Sequence, residues 1–262
     1  MSFDGEIGPP VSSLEPPPLE SPPQAASQRP TLIERVMALL EVVICSDYPT
    51  QLALSATVAA LGYGPYDVNG QLSLAYVVVL SLADTALLLA LIAMFLSIHG
   101  ERARDLFLGT RSISTEARVG LPLALAALGL GVVVLVVIQQ VAPWLHTVAR
   151  NPMANFVRTP GDAAAFAVIA VVAGGLREEV QRAFLLRRFE RWLGGARVGV
   201  IVTSVSFGLG HKIQGLDAAV ATSVLGGFWA FIYLRRRSVV APMVSHSGFN
   251  LLQLAQFLRF GH

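Results

Sequence analysis

Long uncharged apolar runs separated by short polar connections dominate the chain from residue 31 onward. Leu72 to Ile98 is apolar apart from Asp84, and Val119 to Val141 carries no charge. At ~1.5 Å per residue in a helix, each outruns the ~30 Å hydrocarbon layer of a bilayer. Ala163 to Leu186, Val198 to Gly210, Ala218 to Leu234 and Val239 to Leu258 follow as shorter apolar segments joined by tight connections. Ile33 to Leu61 is interrupted by Glu34, Arg35, Glu41, Asp47 and Pro49. It reads either as a kinked first span or as an interfacial helix followed by a short span, because proline bends or ends a helix. The pattern predicts an all-α polytopic bundle of about seven transmembrane helices, with a four-helix core in the C-terminal half.

Composition agrees: 54% of the 262 residues are hydrophobic and 14% charged, against about a quarter charged in soluble domains. Met1 to Pro30 differs, holding eight of the fifteen prolines among serine, glutamate and glutamine. Too little apolar surface offsets its ordering entropy, so it reads as a disordered, solvated cytoplasmic tail. Residues 31–162 then form N-terminal membrane helices, and 163–262 the core that carries the chemistry. Nothing at the N-terminus has the basic-then-apolar form of a cleavable signal, which predicts a mature start at Met1. Cys45 is the one cysteine, which excludes an internal disulfide or Cys-x-x-Cys chemistry and leaves packing as its role.

Charge sets an orientation. Arg102, Arg104, Arg111 and Arg118 share one connection, Arg187, Arg188, Arg191 and Arg197 a second, Arg235 to Arg237 a third, and the intervening connections are poorer in Lys and Arg. The positive-inside rule makes the three cytoplasmic, with the N-terminus inside, His262 outside and the plasma membrane as the expected location. The basic residues are spread over short connections rather than one face, which argues against nucleic-acid binding. Arg187, Arg188 and Arg191 read as topology determinants, with anionic lipid a secondary partner. His99, His146 and His262 read as solvated, and Trp144, Trp192 and Trp229 as interfacial anchors.

Against this background the polar groups inside the apolar segments stand out, since an intramembrane charge is a functional hypothesis by default. Asp84 lies in mid-span and predicts a polar partner within the bundle. Glu178 and Glu179 end a charge-free run from Ala163 to Gly175. Arg182, at i+4 and i+3 from them, can keep one ionised. Counted inward from the nearest cytoplasmic arginine, the glutamates and His246 lie roughly 12–14 Å deep and His211 roughly 20 Å. Phe207 shares a face with His211, and His246 with Asn250, by the i, i+4 rule. Two carboxylates, two imidazoles and a carboxamide suffice for hydrolysis by activated water: a glutamate takes its proton, imidazoles position it, and an amide nitrogen steadies the oxyanion. The same set allows a metal, with His211, His246 and Glu179 as candidate ligands for Zn2+, although no His-Glu-x-x-His is present. Ser204, Ser206, Ser245 and Ser247 read as helix-capping or cross-bonding groups.

Glu178-Glu179 with Arg182, then Phe207-x-x-x-His211, then His246-x-x-x-Asn250 resemble the three motifs of the type II CAAX prenyl protease and bacteriocin-processing family of intramembrane proteases. The resemblance covers roughly residues 163 to 258. It implies that family's helical bundle, with a cavity opening toward the cytoplasm and a membrane-anchored, possibly prenylated peptide as substrate. It also implies a glutamate and His211 activating water, with His246 and Asn250 forming the oxyanion site. The first motif departs from the family's Glu-Glu-x-x-x-Arg by one residue. Aligning on Arg182 puts Arg177 where the first glutamate normally stands, while aligning on the pair makes Glu178 the expected base, with Glu179 close behind. A catalytically inactive membrane immunity or scaffold protein is the alternative. A proton-coupled transporter using Asp84 and Glu178 is weaker, because no paired broken helices appear.

Overall fold

The computed structural model describes residue 1 and residues 30–67, 70–149 and 155–261. The expected disordered tail therefore lies almost wholly outside the described residues, as does His262. Within them the chain forms ten α-helices and, among the described residues, no strand beyond an isolated bridge between Tyr66 and Leu72. The expected all-α class is what the structure has.

Helix α1 (Leu32–Ile44) starts at Thr31, whose side chain caps the Glu34 amide while Glu34 returns a bond to the Thr31 amide. Its face toward the protein buries Ala38, Glu41 and Val42, while Leu32, Val36, Leu39, Leu40 and Val43 point outward. A charged residue inside and leucines outside is the reverse of a helix on a water-facing surface; it suits hydrocarbon. Helix α2 (Tyr48–Ala60) follows at 44° to α1. The break falls at Asp47, which has φ of 81° although it is not glycine. Gln181 from elsewhere in the fold donates to the Cys45 carbonyl at 2.8 Å, so the break leaves that acceptor satisfied.

Helices α3 (Leu74–Ile98), α5 (Ile113–Val141) and α9 (Leu216–Arg236) are each long and apolar enough to cross a membrane, and among the described residues the bent α1–α2 pair raises the number passing on length and composition to four. The other expected spans are less simple. α6 (Pro160–Ile169), a π-helical turn (Ala170–Arg177) and α7 (Glu178–Trp192) run on without a gap, so the predicted segment ending at Leu186 continues a turn and a half further. α8 (Ala196–Gly210) has 15 residues, about 22 Å, and α10 (Val240–Phe260) carries the polar groups His246 and Asn250. Short α4 (Ala103–Phe107) links α3 to α5.

Small residues let α5 and α10 lie close, as is usual where helices pack in lipid. Gly120, Ala124, Ala127 and Gly131 form the buried stripe of α5. A Cβ on Gly120 would stand 2.6 Å from Val244 Cβ, and one on Gly248 2.8 Å from Ala124 Cβ. On the other side of α7, Cys45, Leu88, Ile92, Leu96, Phe184 and Phe189 form an apolar cluster in which Cys45 is fully buried.

The arginines at the end shared by α4, α7 and α9, expected as topology determinants, hold buried carboxylates. Arg188 is 0% exposed and pairs with Glu41 of α1 and with Glu101, which Arg191 also holds. His99 is exposed, as expected, and also contacts Glu41 at 2.6 Å and lies against the Trp192 ring. It closes the carboxylate from the side opposite Arg188. Arg236 grips Glu116 of α5 with two 2.7 Å bonds, and Arg237 grips Glu190 of α7 in the same way. At the opposite end His146, exposed as expected, also holds Asp217 at 2.6 Å. Histidine at a span end here serves a buried carboxylate that has no water to turn to.

Candidate active site

The π-helical turn is where the site begins. Wide turns of this kind interrupt α-helices at functional positions, and here Gly174 and Gly175 remove the side chains that would keep α10 away. A Cβ on Gly175 would collide with Ser247 Oγ, and one on Gly174 would come 2.6 Å from Asn250 Nδ2. With the two helices in contact, α7 opens on Glu178 and Glu179 directly opposite His246.

Glu179 is buried and bonded twice, to Arg182 and, at 2.9 Å, to His246 Nδ1. A carboxylate only accepts hydrogen bonds, so Nδ1 carries the hydrogen and the Nε2 face of the ring is left for other chemistry. That nitrogen is 3.7 Å from Glu178 Oε2, an oxygen that is itself buried and has no hydrogen-bond partner. The other Glu178 oxygen is 3.3 Å from Arg177 Nη2. Arg177 also bonds Asp47 at the α1–α2 break and, at 2.7 Å, Asp84 of α3, besides reaching the Ala173 carbonyl of the π turn. Asp84 thus has the intrabundle partner that a mid-span acid requires, and the partner is the residue immediately before the glutamate pair.

Rings fix the imidazole from its faces. Trp229 of α9 stacks on His246 with centroids 3.8 Å apart and planes 16° from parallel, and its Nε1 donates to Ser245 Oγ at 3.1 Å. At 1% exposure Trp229 is not the interfacial anchor its place in the sequence suggests; it lies where α9 crosses α10. Phe207 of α8 is edge-on to His246, to Trp229 and to His211, and the Arg182 guanidinium lies 4.8 Å over its ring. Ser245 cross-bonds helices, as expected of it.

A cavity of about 250 Å³ reaches this cluster between the α1–α2 break, the start of α7 and the end of α8. Glu178, Arg177, Arg182, Phe207 and His211 line it, together with Asp47, Tyr48 and Gln181. α7 and α8 run antiparallel, so the start of one and the end of the other share a level, about 15–20 Å from the arginine-rich end. His211 caps α8 and its Nδ1 lies 2.9 Å from the Phe207 carbonyl, which leaves Nε2 as its second polar atom. Asn250 sits apart from the cavity wall and donates to the Ala170 carbonyl of the π turn at 3.1 Å.

The structure therefore brings Glu178, Glu179, Arg182, Phe207 and His246 together, sets His211 on the cavity wall beside Phe207, and places Asn250 behind the π turn. No three His, Cys, Asp or Glu side chains among the described residues come together as metal ligands. His211, His246 and Glu179 do not fit a zinc site as they stand, because Glu179 is committed to Arg182 and His246. Arg177, Asp47 and Trp229 belong to the site although spacing alone does not reveal them. Only the alignment on Arg182 pointed to Arg177.

A carboxylate with a free buried oxygen facing an oriented imidazole, at a cavity inside a helical membrane protein, defines a candidate hydrolytic centre. Residues 160–252, which contain all of these groups except Asp47, Tyr48 and Asp84, match a family model described as type II CAAX prenyl endopeptidase Rce1-like. Over this segment the chain is similar to type II CAAX prenyl endopeptidases. No curated protein and no solved structure matches the chain.

Proposed function

We propose that the protein is an intramembrane endopeptidase that hydrolyses a peptide bond of a membrane-associated substrate, with a prenylated CAAX-type peptide as the first substrate to try. The observation that carries this reading is the buried, unpartnered Glu178 Oε2 lying 3.7 Å from His246 Nε2, on a glutamate that lines the cavity. A water beside that gap can hydrogen-bond to both. Glu178 then takes its proton as the hydroxyl oxygen attacks the substrate carbonyl, and passes it by way of His246 Nε2 to the departing amine. Glu179 keeps the His246 ring in place through Nδ1, so that the positive charge this ring gains on protonation has a buried counter-charge. His211 offers Nε2 from the other wall. The amide hydrogen of Asn250 not used on Ala170 is the remaining donor for the oxyanion.

The step is drawn without a metal. Activity lost to a chelator and regained with Zn2+ alone would replace it with a metal-assisted one. The arginine-rich end supports a cytoplasmic face there, hence an N-terminus inside and cleavage near the cytoplasmic leaflet.

One observation favours the inactive alternative. Arg177 holds one oxygen of Glu178, and on alignment with Arg182 it stands in the place of the family's first glutamate. Two fluorogenic peptides, one farnesylated at its cysteine and one not, separate the readings in proteoliposomes. The protease reading expects turnover of at least one and a loss of about 10²–10⁴-fold in Glu178→Gln, the usual worth of a general base. A folded wild-type protein that cleaves neither peptide supports the scaffold reading, and full turnover by Glu178→Gln removes Glu178 from the mechanism.

A further inference from the structure

Three contacts define the position of the His246 ring. In its own plane, Nδ1 is held by Glu179. Above the plane, Trp229 covers the ring at a 3.8 Å centroid separation, and Phe207 closes the edge. Trp229 is itself immobilised, because its Nε1 bonds Ser245, the residue directly before His246, and because Phe249 packs edge-on against it. The tryptophan and the histidine that it covers are thus anchored to the same turn of α10. Aromatic pairs usually prefer offset or edge-to-face contacts, and near-parallel stacking suits a cation on an indole face, the strongest of the aromatic faces for that purpose. Arg182 lies 5.8 Å from the same ring, so positive charge is already drawn to the indole.

We infer that Trp229, anchored by Ser245, is a positioning residue that fixes the plane of His246 and stabilises the imidazolium form of that ring during turnover. The inference rests on the protease reading for its kinetic part and on geometry alone for its spectroscopic part. It assigns to α9, which contributes none of the family's three motifs, a direct part in the chemistry. Gly226, one turn before Trp229, helps: a Cβ there would lie 3.0 Å from the Phe207 ring, so the glycine lets α9 lie close to α8 and keeps Phe207 beside Trp229.

The test uses full-length protein in proteoliposomes and has two arms. In a Trp144→Phe/Trp192→Phe background, Trp229 is the sole tryptophan and its emission is quenched by the stacked imidazole. Replacing His246 by Gln raises that emission, and replacing Ser245 by Ala changes it by loosening the indole. Emission unaltered by His246→Gln overturns the inference, whatever the enzyme does. In the kinetic arm, with the same fluorogenic peptides, Trp229→Leu lowers kcat about twofold to thirtyfold with KM unchanged, and Trp229→Phe recovers part of the loss by restoring an aromatic face. That range corresponds to the ~0.5–2 kcal/mol of a cation on an aromatic face. Equal losses in Trp229→Leu and Trp229→Phe, or a rise in KM alone, overturn the charge-stabilising role. Wild-type protein that cleaves nothing refutes the protease reading instead, while the emission arm still decides the stack.

Discussion

Replacing Arg177 by methionine removes the one guanidinium shared by Asp47, Asp84 and Glu178 and leaves a side chain of comparable reach. The pairs are buried: Arg177 is 6% exposed and Asp84 1%. Taking one partner out of a buried ion pair costs about 3–5 kcal/mol, because the charge left behind has neither water nor a counter-ion. Three acids depend on Arg177 here, and Asp84 already has one oxygen without a hydrogen bond. The upper half of that range is therefore expected. Other bonds from the α1–α2 break to the core include Gln181 to the Cys45 carbonyl and the Tyr48 hydroxyl to the Ser206 carbonyl. Equilibrium unfolding in mixed micelles, followed by helical circular dichroism, measures the cost. A second comparison isolates its origin: Arg177→Met/Asp84→Leu recovers part of the stability lost in Arg177→Met, because an apolar replacement removes a stranded charge. If Arg177→Met lies within about 1 kcal/mol of the parent, the network is not what fastens the break to α7.

Other perturbations test separate parts of the structure. Gly175→Ala forces a Cβ into Ser247 Oγ; destabilisation of about 1–3 kcal/mol is expected from overpacking, with relief by Ser247→Gly, and thermal scans of the single and double variants check it. Glu101 is partly desolvated, which by itself raises its pKa, but Arg188, Arg191 and Arg187 outweigh this and hold its carboxyl below the usual range. A depressed carboxyl stabilises the fold above its unfolded pKa and loses that contribution as pH falls through the folded value. Glu101→Gln therefore flattens the acid limb of stability against pH below about 4, and an unchanged acid limb contradicts the pairing.

Much of this was legible in the chain itself, and the losses have a common cause. Helix positions followed from runs of apolar residues, and the i, i+4 rule put His246 and Asn250 on one side of α10, where His246 meets α7 and Asn250 the π turn. Asp84 and Arg182 were assigned partners on the principle that charge in lipid must be paired, and both have them. Burial was harder to read. In a helix surrounded by lipid both faces are apolar, so the pattern gives no sign that Trp229 points inward while Leu39 or Val43 points out. The contacts of His99 with Glu41 and of His146 with Asp217 also went unread, because the partners are distant in sequence. The π turn was not visible because a widened turn leaves no mark in composition. It nevertheless bears on the one-residue shortening before Arg182, since it changes the angle at which Glu178 and Glu179 leave the helix. Arg177, which alignment placed over a missing glutamate, proves to be the hub of three carboxylates.

The central claim is that Glu178 and His246 act as one water-activating unit. A cleavage assay on Glu178→Gln, His246→Gln and the double variant tests it directly, because residues that act together are grossly non-additive. The account predicts that each single variant loses about 10²–10⁴-fold in kcat and that the double variant loses hardly more than the worse single. Losses that multiply, or a single variant that retains wild-type turnover, would contradict it.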